Sequence, residues 1–400
     1  MNSPESAPNQ TSYVARLITL ASSRVFVINC LGLTLSFVLQ LLLTNSLGLG
    51  QYGIFAWVYS WLSVALLCCC FGYDTALVRF VATLREHAEW STLKGLLHQS
   101  NSQGFVAAAL VALLTASTVI LWGDLNGELK LTILIACLVL PVLVLATLRQ
   151  AVLRGLKLVA WARVPDTILR PTLAIIGIAL TWLILPALSS SVAMSIMAIA
   201  IVLSWVFGEV VLRVKQPSQL PKEREREFDT LWFRTALPLL LVSGIQTLLN
   251  QIDTIMVGTL IGFESTGIYA VAARLSVLTL FGMQAVNMIV APLISVSIQE
   301  SNRDELQAML RTAAKLIIFS SVPVVVVLAW CGTWILGLFG SGFELGFPVL
   351  LLLTAGQLIN TSCGPVGFML SMTGYERRSL RILLIALVTN VVLNLSLIHI

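Results

Sequence analysis

Charge is what this sequence has least of. Only 11% of its 400 residues are Asp, Glu, Lys or Arg, against a hydrophobic fraction of 58% and a mean hydropathy of +0.93. That scarcity excludes a soluble globular chain, in which about a quarter of residues are charged. Period-two alternation of apolar and polar residues is also missing, which excludes the strands of a membrane barrel. The seven cysteines, Cys30, Cys68, Cys69, Cys70, Cys137, Cys331 and Cys363, fall in or beside apolar runs without metal-ligand or disulfide-framework spacing, so they read as small apolar fillers. The polar start MNSPESAPNQTS is not followed by a small-residue cleavage site, and no cleaved signal peptide is expected. What remains is an all-α polytopic membrane protein.

Long apolar runs are abundant. A bilayer core takes about 20 apolar residues as a helix, and on that measure the sequence predicts spans near 25–45, 52–72, 104–122, 130–148, 164–185, 190–212, 236–257, 267–291, 314–338, 346–370 and 382–400. Lys and Arg cluster at the N-terminus and in every second loop, and short loops rich in them stay cytoplasmic. The N-terminus is therefore expected in the cytoplasm, with Arg149, Arg154, Lys157 and Arg163 in the loop after span four. Only Lys130, Arg170 and Arg274 escape the pattern. The net charge of +5 is this bias summed and calls for no nucleic acid.

The charged, proline-bearing stretch 214–234 reads as a cytoplasmic linker. It divides the chain into a six-span lobe, 1–213, and a second lobe, 235–400, of about five spans. A faint repeat supports the division: YGIFA at 52–56 and TGIYA at 266–270 are 214 residues apart, and the same offset sets Asn29 against Ser243 and Ser36 against Asn250. Six spans return the chain to its starting side, so the two lobes form a parallel repeat about an axis along the membrane normal, facing a central cavity. The last run stops without a polar flank, so a truncated C-terminus is expected, with ordinary length variation as the alternative.

Polar residues inside the spans need a reason. A central arginine is disfavoured by about 2.5–3.5 kcal/mol on insertion scales, and must face protein or water. Arg274 enters about 12 Å deep, and Asp253 on the preceding helix is within geometric reach of it, so the two either neutralise each other or serve a cavity. Asp253 also shares a helical stripe with Ser243, Gln246 and Asn250, and span one carries Asn29, Ser36, Gln40 and Thr44. Such stripes are either interhelical glue, worth about 0.6–2 kcal/mol per hydrogen bond, or the wall of a wet cavity. Arg170 follows Asp166 by four residues and reads as a same-face ion pair or a snorkelling side chain. Arg24 marks the cytoplasmic mouth of span one. Prolines 141, 171, 238, 292, 323 and 365 are tolerated kinks or hinge points. Trp57, Trp122, Trp182, Trp232 and Trp334 fall near span ends, as an interfacial belt requires.

LGLGQYGIFAWVYSWLSVALL, GYDTALVRFVA, RQAVLRGLKLVAWARVPDTILRP, QIDTIMVGTLIGFESTGIYAVAARL and FMLSMTGYERRSLRI together resemble the polysaccharide-unit flippases. These belong to the multidrug/oligosaccharidyl-lipid/polysaccharide exporter superfamily, which also holds lipid II flippases and multidrug and toxin extrusion antiporters. The resemblance covers essentially the whole chain. It implies two six-helix lobes in a V, set in the bacterial inner membrane. The implied ligand is a lipid-linked oligosaccharide diphosphate, with membrane lipids around it and glycan polymerases or glycosyltransferases as partners. Cavity arginines on the first and eighth helices hold the diphosphate in the lipid II branch, and the matching residues here are Arg24 and Arg274.

The expected function is thus flipping of polyprenyl-diphosphate-linked oligosaccharide by alternating access, with Arg274, Asp253, Asn250, Gln246, Arg24, Asn29 and Gln40 in the cavity. No covalent chemistry, metal or cofactor is expected; the coupling ion, H+ or Na+, is open. An ion-coupled drug antiporter with Asp253 as its ion site is the alternative. A glycan polymerase or ligase would need a sizeable outward loop, and the outward loops here are short.

Overall fold

The computed structural model describes residues 10–121, 125–184, 188–215, 230–287, 303–364 and 376–399, with isolated positions at 290, 366 and 370. These residues are helical and contain no strand. Helix α1 (Gln10–Cys70) is followed by α2 (Tyr73–Glu86), α3 (Trp90–Leu121), α4 (Gly127–Gly155) and α5 (Val159–Val164). A π turn, Pro165–Leu169, leads into α6 (Arg170–Ile184), and α7 (Ser190–Lys215) completes the first half. The second half holds α8 (Thr230–Leu260), α9 (Phe263–Ser276) with a 3-10 extension (Val277–Leu280), α10 (Arg303–Gly337), α11 (Phe347–Ser362) and α12 (Glu376–His399).

Ten helices among the described residues are long and apolar enough to cross a membrane. The first of them, Val27–Cys70, has 44 residues, which at 1.5 Å each is about 66 Å, twice the thickness of a bilayer core. It does not run straight: the helix breaks at Gly48 (φ 68°, ψ 178°), and the Gln40 amide reaches the Tyr52 hydroxyl across the break. Spans one and two are therefore a hairpin without a loop, and each of the eleven expected runs has its helix. The molecule is a multi-pass membrane protein. Its largest outward-facing side chains are apolar, with Leu183 at 84% exposed and Trp330 at 86%; in lipid these are solvated surfaces rather than defects.

The repeat seen in YGIFA and TGIYA is a contact. Gly53 lies so close under the backbone of Phe263 that a Cβ there would overlap the Phe263 carbonyl, and a Cβ on Gly267 would stand 2.6 Å from the carbonyl of Leu49. Leu49 and Phe263 are themselves 214 residues apart, as are the two glycines. The helix breaks match too, since Gly48 and Gly262 (φ 129°) both take positive φ and open the equivalent helices.

Around this crossing the lobes close at the end away from the basic clusters. Phe37 meets Phe339 edge to face at 5.6 Å between centroids, Tyr52 meets Phe343 at 6.1 Å, and Asn45 Nδ2 donates to the Leu338 carbonyl at 2.8 Å. Trp57 belongs to this closure and not to a lipid belt, because its Nε1 donates to the Ile255 carbonyl and to Thr259 Oγ1, both at 3.2 Å, and its ring packs on Phe263. Trp232 is buried, whereas Trp182 and Trp334 are exposed as a belt requires. Trp122 lies outside the described residues, as do most of the 214–234 linker, Pro292 and Pro365. Pro141 and Pro323 are carried inside unbroken helices.

Two basic segments differ from the loop expectation. Residues 73–86 form α2, whose buried side, Tyr73, Ala76, Leu77 and Val81, packs on α4. Arg149 is not in a loop at all: α4 continues to Gly155 and buries Arg149 against α7.

Candidate functional site

The two lobes meet over a cavity of about 140 Å³ lined by Ser36, Gln40, Asp166, Arg170, Met197 and Arg274, with Leu39, Leu43, Phe55, Tyr59 and Pro171 completing the wall. Three helices and the π turn supply these polar groups. Span one of α1 presents Ser36 and Gln40 one turn apart. The π turn presents Asp166, α6 presents Arg170 and α9 presents Arg274. Gln40 is 4% exposed and tied to the Tyr52 hydroxyl, so its orientation is set by the hairpin at Gly48.

The arginines differ in their commitments. Arg170 Nη2 donates to Asp166 Oδ1 in an i,i+4 pair that is mostly shielded, with side-chain exposures of 15% and 20%. This is the same-face pair the spacing predicts, and both of its residues line the cavity. Arg274 is exposed and has no ion-pair partner among the described residues. The cavity thus holds two guanidinium groups against one carboxylate, a net positive charge.

Asp253 does not meet Arg274. Its Oδ2 accepts from the Tyr269 hydroxyl at 2.8 Å and its Oδ1 from Asn394 Nδ2 at 2.6 Å, and Asn394 also reaches Asn390 Oδ1 at 3.3 Å. This network ties α8, α9 and α12 together. The expected neutralising pair fails because Asn394, 141 residues along the chain, satisfies the carboxylate first.

The remaining expected residues scatter. Gln246 and Asn250 are exposed, Asn29 is half-buried, and none of the three lines this cavity. Ser243 bonds back to the Leu239 carbonyl at 3.0 Å, as helix glue does. The side chain of Arg24 lies outside the described residues. Of the seven expected positions, Arg274 and Gln40 are brought together. Arg170 and Asp166 join them and were not among the seven; the signal for them was the RVPDTILRP run itself, with a proline on either side of an ion pair inside a span.

The cavity is not closed toward lipid. Ser36, Gln40 and Arg274 also border a cleft of about 250 Å³, otherwise lined by apolar side chains that include Leu33, Phe37, Val277 and Phe339. Phe37, Leu275 and Leu278 then border a further apolar cleft of about 430 Å³ that reaches Val327 and Trp334 on α10. A charged pocket therefore runs sideways into a greasy groove between span one, α9 and α10.

Residues 23–298 match the polysaccharide biosynthesis protein family, and residues 238–395 match the MatE family. No curated protein matches in sequence. Among solved structures the chain is similar to an inward-facing multidrug resistance MATE family transporter of the MOP superfamily, with TM-score 0.74, 14% identity, and 91% of this chain and 87% of that chain covered. An outward-facing MATE family transporter gives TM-score 0.64 at 15% identity over 91% and 84%. A MOP superfamily transporter from Pyrococcus furiosus, for which reverse polarity of the binding pocket suggests a different function, gives TM-score 0.62 at 14% identity over 91% and 84%. At such identities the likeness is one of fold.

Proposed function

We propose, from the premise that this chain belongs to the polysaccharide biosynthesis protein family and has the fold of MOP superfamily transporters, that it is a transporter and flips polyprenyl-diphosphate-linked oligosaccharide across the bacterial inner membrane. The observation that carries the reading is the guanidinium of Arg274, without an ion-pair partner among the described residues and facing the same cavity as Arg170. Arginine forks match phosphate oxygens two at a time, and a cleft with low-dielectric walls concentrates the field of its charges. The pocket has the sign for a diphosphate, and the apolar groove beside it suits the prenyl tail. The sugar would extend toward the basic end, where the lobes are not sealed by the Tyr52–Phe343 and Asn45–Leu338 contacts.

In this reading Arg274 and Arg170 bind the diphosphate, Gln40 and Ser36 donate to its oxygens or to the first sugar, and Arg24 meets the headgroup at the mouth. Rocking of the lobes, parting them at the closed end around the Gly53–Gly267 crossing, presents the load to the outer side. No bond is made or broken. Glycosyltransferases supply the substrate and a polymerase consumes it. A coupling ion, H+ or Na+, would be recruited at the Asp253 network. For the P. furiosus neighbour, pocket polarity is tied to function, and here the polarity is positive, which disfavours a cationic drug.

The test is surface glycan in a strain whose own flippase is deleted. Arg274→Ala should lower the glycan at least tenfold and Arg274→Glu should abolish it, with Arg274→Lys between wild type and Ala. Wild-type glycan from Arg274→Glu would remove the cation from the mechanism. Drug resistance conferred without any glycan export would assign the chain to drug efflux instead.

A further inference from the structure

Of the three basic residues outside the cytoplasmic pattern, Lys130 is the one that does not line the central cavity. It lies in the first turn of α4, at the end away from the basic clusters, half-buried, with its Nζ donating to the Ile120 carbonyl at the end of α3 across 3.5 Å. Among the described residues it has no ion-pair partner. Glu128 is two residues back, but it shares its face of the helix with Thr132, whose hydroxyl meets that of Ser190 on α7 at 3.0 Å.

Behind Lys130 opens an apolar cleft of about 540 Å³ between the second span of α1, α3 and α4. Leu129 beside the lysine lines it, as do Ile133 and Cys137 one and two turns along and Val119 next to Ile120. The ammonium therefore stands at its mouth. From Leu129 to Leu140 on α4, and from Trp57 to Cys68 on α1, the wall runs about 16 Å at 1.5 Å per residue. That is the depth of one leaflet, half of a bilayer core of about 30 Å. Of the lining residues only Thr115 carries a hydroxyl. Apolar hollows of this kind stay dry, and a membrane offers hydrocarbon to fill them. A hollow one leaflet deep, enclosed by three helices and ending at a cation, has the shape and charge of a phospholipid's counterpart.

The cleft also touches the seal between the lobes. Trp57 and Trp61 both line it, ring edge to face at 6.1 Å, and Trp57 is the side chain whose Nε1 donates to Ile255 and Thr259 of the second lobe. A chain packed on this pair holds the indole where its N–H reaches across.

We infer that the cleft is a binding site for an anionic phospholipid of the leaflet away from the basic clusters, with one acyl chain between α1, α3 and α4 and the phosphate on Lys130. The bound lipid stabilises the closed end of the lobes through Trp57. This site is separate from the central cavity and does not depend on what is transported.

The test uses the purified full chain, stripped of lipid in mild detergent and titrated with phosphatidylglycerol or phosphatidylethanolamine, read by native mass spectrometry and by melting temperature. One lysine near a membrane surface gives about a fivefold preference for an anionic headgroup, so wild type should hold one phosphatidylglycerol about fivefold more tightly and melt several degrees higher with it. Lys130→Glu should bind it at least fivefold more weakly and lose the rise, and Lys130→Arg should keep both. Cys137→Trp, which fills the cleft, should lose the bound lipid. Where that variant does not fold, Lys130→Glu decides alone. Wild-type affinity in Lys130→Glu or in folded Cys137→Trp, or equal affinity of wild type for the two lipids, overturns the assignment. Displacement of phosphatidylglycerol by an equal concentration of undecaprenyl phosphate would give the cleft to a prenyl tail, and a dimer dissociated by Cys137→Trp would give it to a second copy of the chain; either overturns it. Trp57→Phe should bind the lipid but show a smaller rise, and a full rise there overturns the link to closure.

Discussion

Gly53 lies under the carbonyl of Phe263, and the partner contact, Gly267 under the carbonyl of Leu49, follows from it by moving every residue 214 positions along the chain. The two lobes thus touch as the halves of a two-fold pair do, each offering a glycine to the other's helix start. Overpacking a close contact costs about 1–3 kcal/mol. Gly53→Ala and Gly267→Ala should each lower the melting temperature of the purified protein by several degrees, and the double variant should lose less than the sum, since the first substitution already forces the lobes apart. Full additivity would mean that the two contacts are independent.

The Asp253 network should behave as one unit. Tyr269→Phe and Asn394→Ala each remove one hydrogen bond to the carboxylate, worth about 0.6–1.7 kcal/mol in a membrane interior. Asp253→Ala should cost more than either, and Tyr269→Phe placed on top of Asp253→Ala should add almost nothing. The check is a double-mutant cycle on thermal or denaturant stability.

Asp74 makes stability depend on pH. Burial pushes its carboxyl above the ordinary carboxylate range, and the nearby Arg154 guanidinium only partly offsets this. Because the folded state holds the proton more tightly than the unfolded one, this group's contribution is full below the ordinary carboxylate pKa. It is lost as pH rises through the elevated value. Melting temperatures measured upward from about pH 4 should therefore fall more steeply in wild type than in Asp74→Asn, in which that contribution is absent.

Closure at the end away from the basic clusters should have to open for transport. In a background with the seven native cysteines replaced, Asn45→Cys with Leu338→Cys, at the exposed Asn45–Leu338 contact of this closure and bridged by a short bis-maleimide, should cut substrate movement at least tenfold, while either single cysteine leaves it within about twofold. Undiminished transport in the bridged protein would show that this seal is not part of the cycle.

The helices were legible in the sequence because apolar length alone decides them, and the pairing of lobes was legible in five residues of repeat. Arg274 announced itself, since a charge deep in a span has no bland local explanation. Arg170 did not: an i,i+4 carboxylate is a sufficient reason for it, and only the packing of α1 and α7 on α6, with Arg274 of α9 across the space, reveals that the pair faces a cavity. Asp253 was placed in the cavity because its stripe continued Gln246 and Asn250, but its partners come from Tyr269 and the distant Asn394, a pairing that no periodicity encodes. Arg149 was read as loop because the apolar run ends beside it. Yet the helix outlasts the run, and its acceptor is a backbone carbonyl of α7, invisible to side-chain patterning.

The cavity's two guanidinium groups are mounted on different lobes, Arg170 on the first and Arg274 on the second. Like charges on opposed jaws push the jaws apart when nothing lies between them, and a bridging anion reverses the force. A ligand with two phosphates can grip both sides at once, whereas a singly charged one grips only a single side. Discrimination would then arise from what the load does to the angle between the bodies, and an idle transporter and a loaded one would differ in posture before any energy source is engaged.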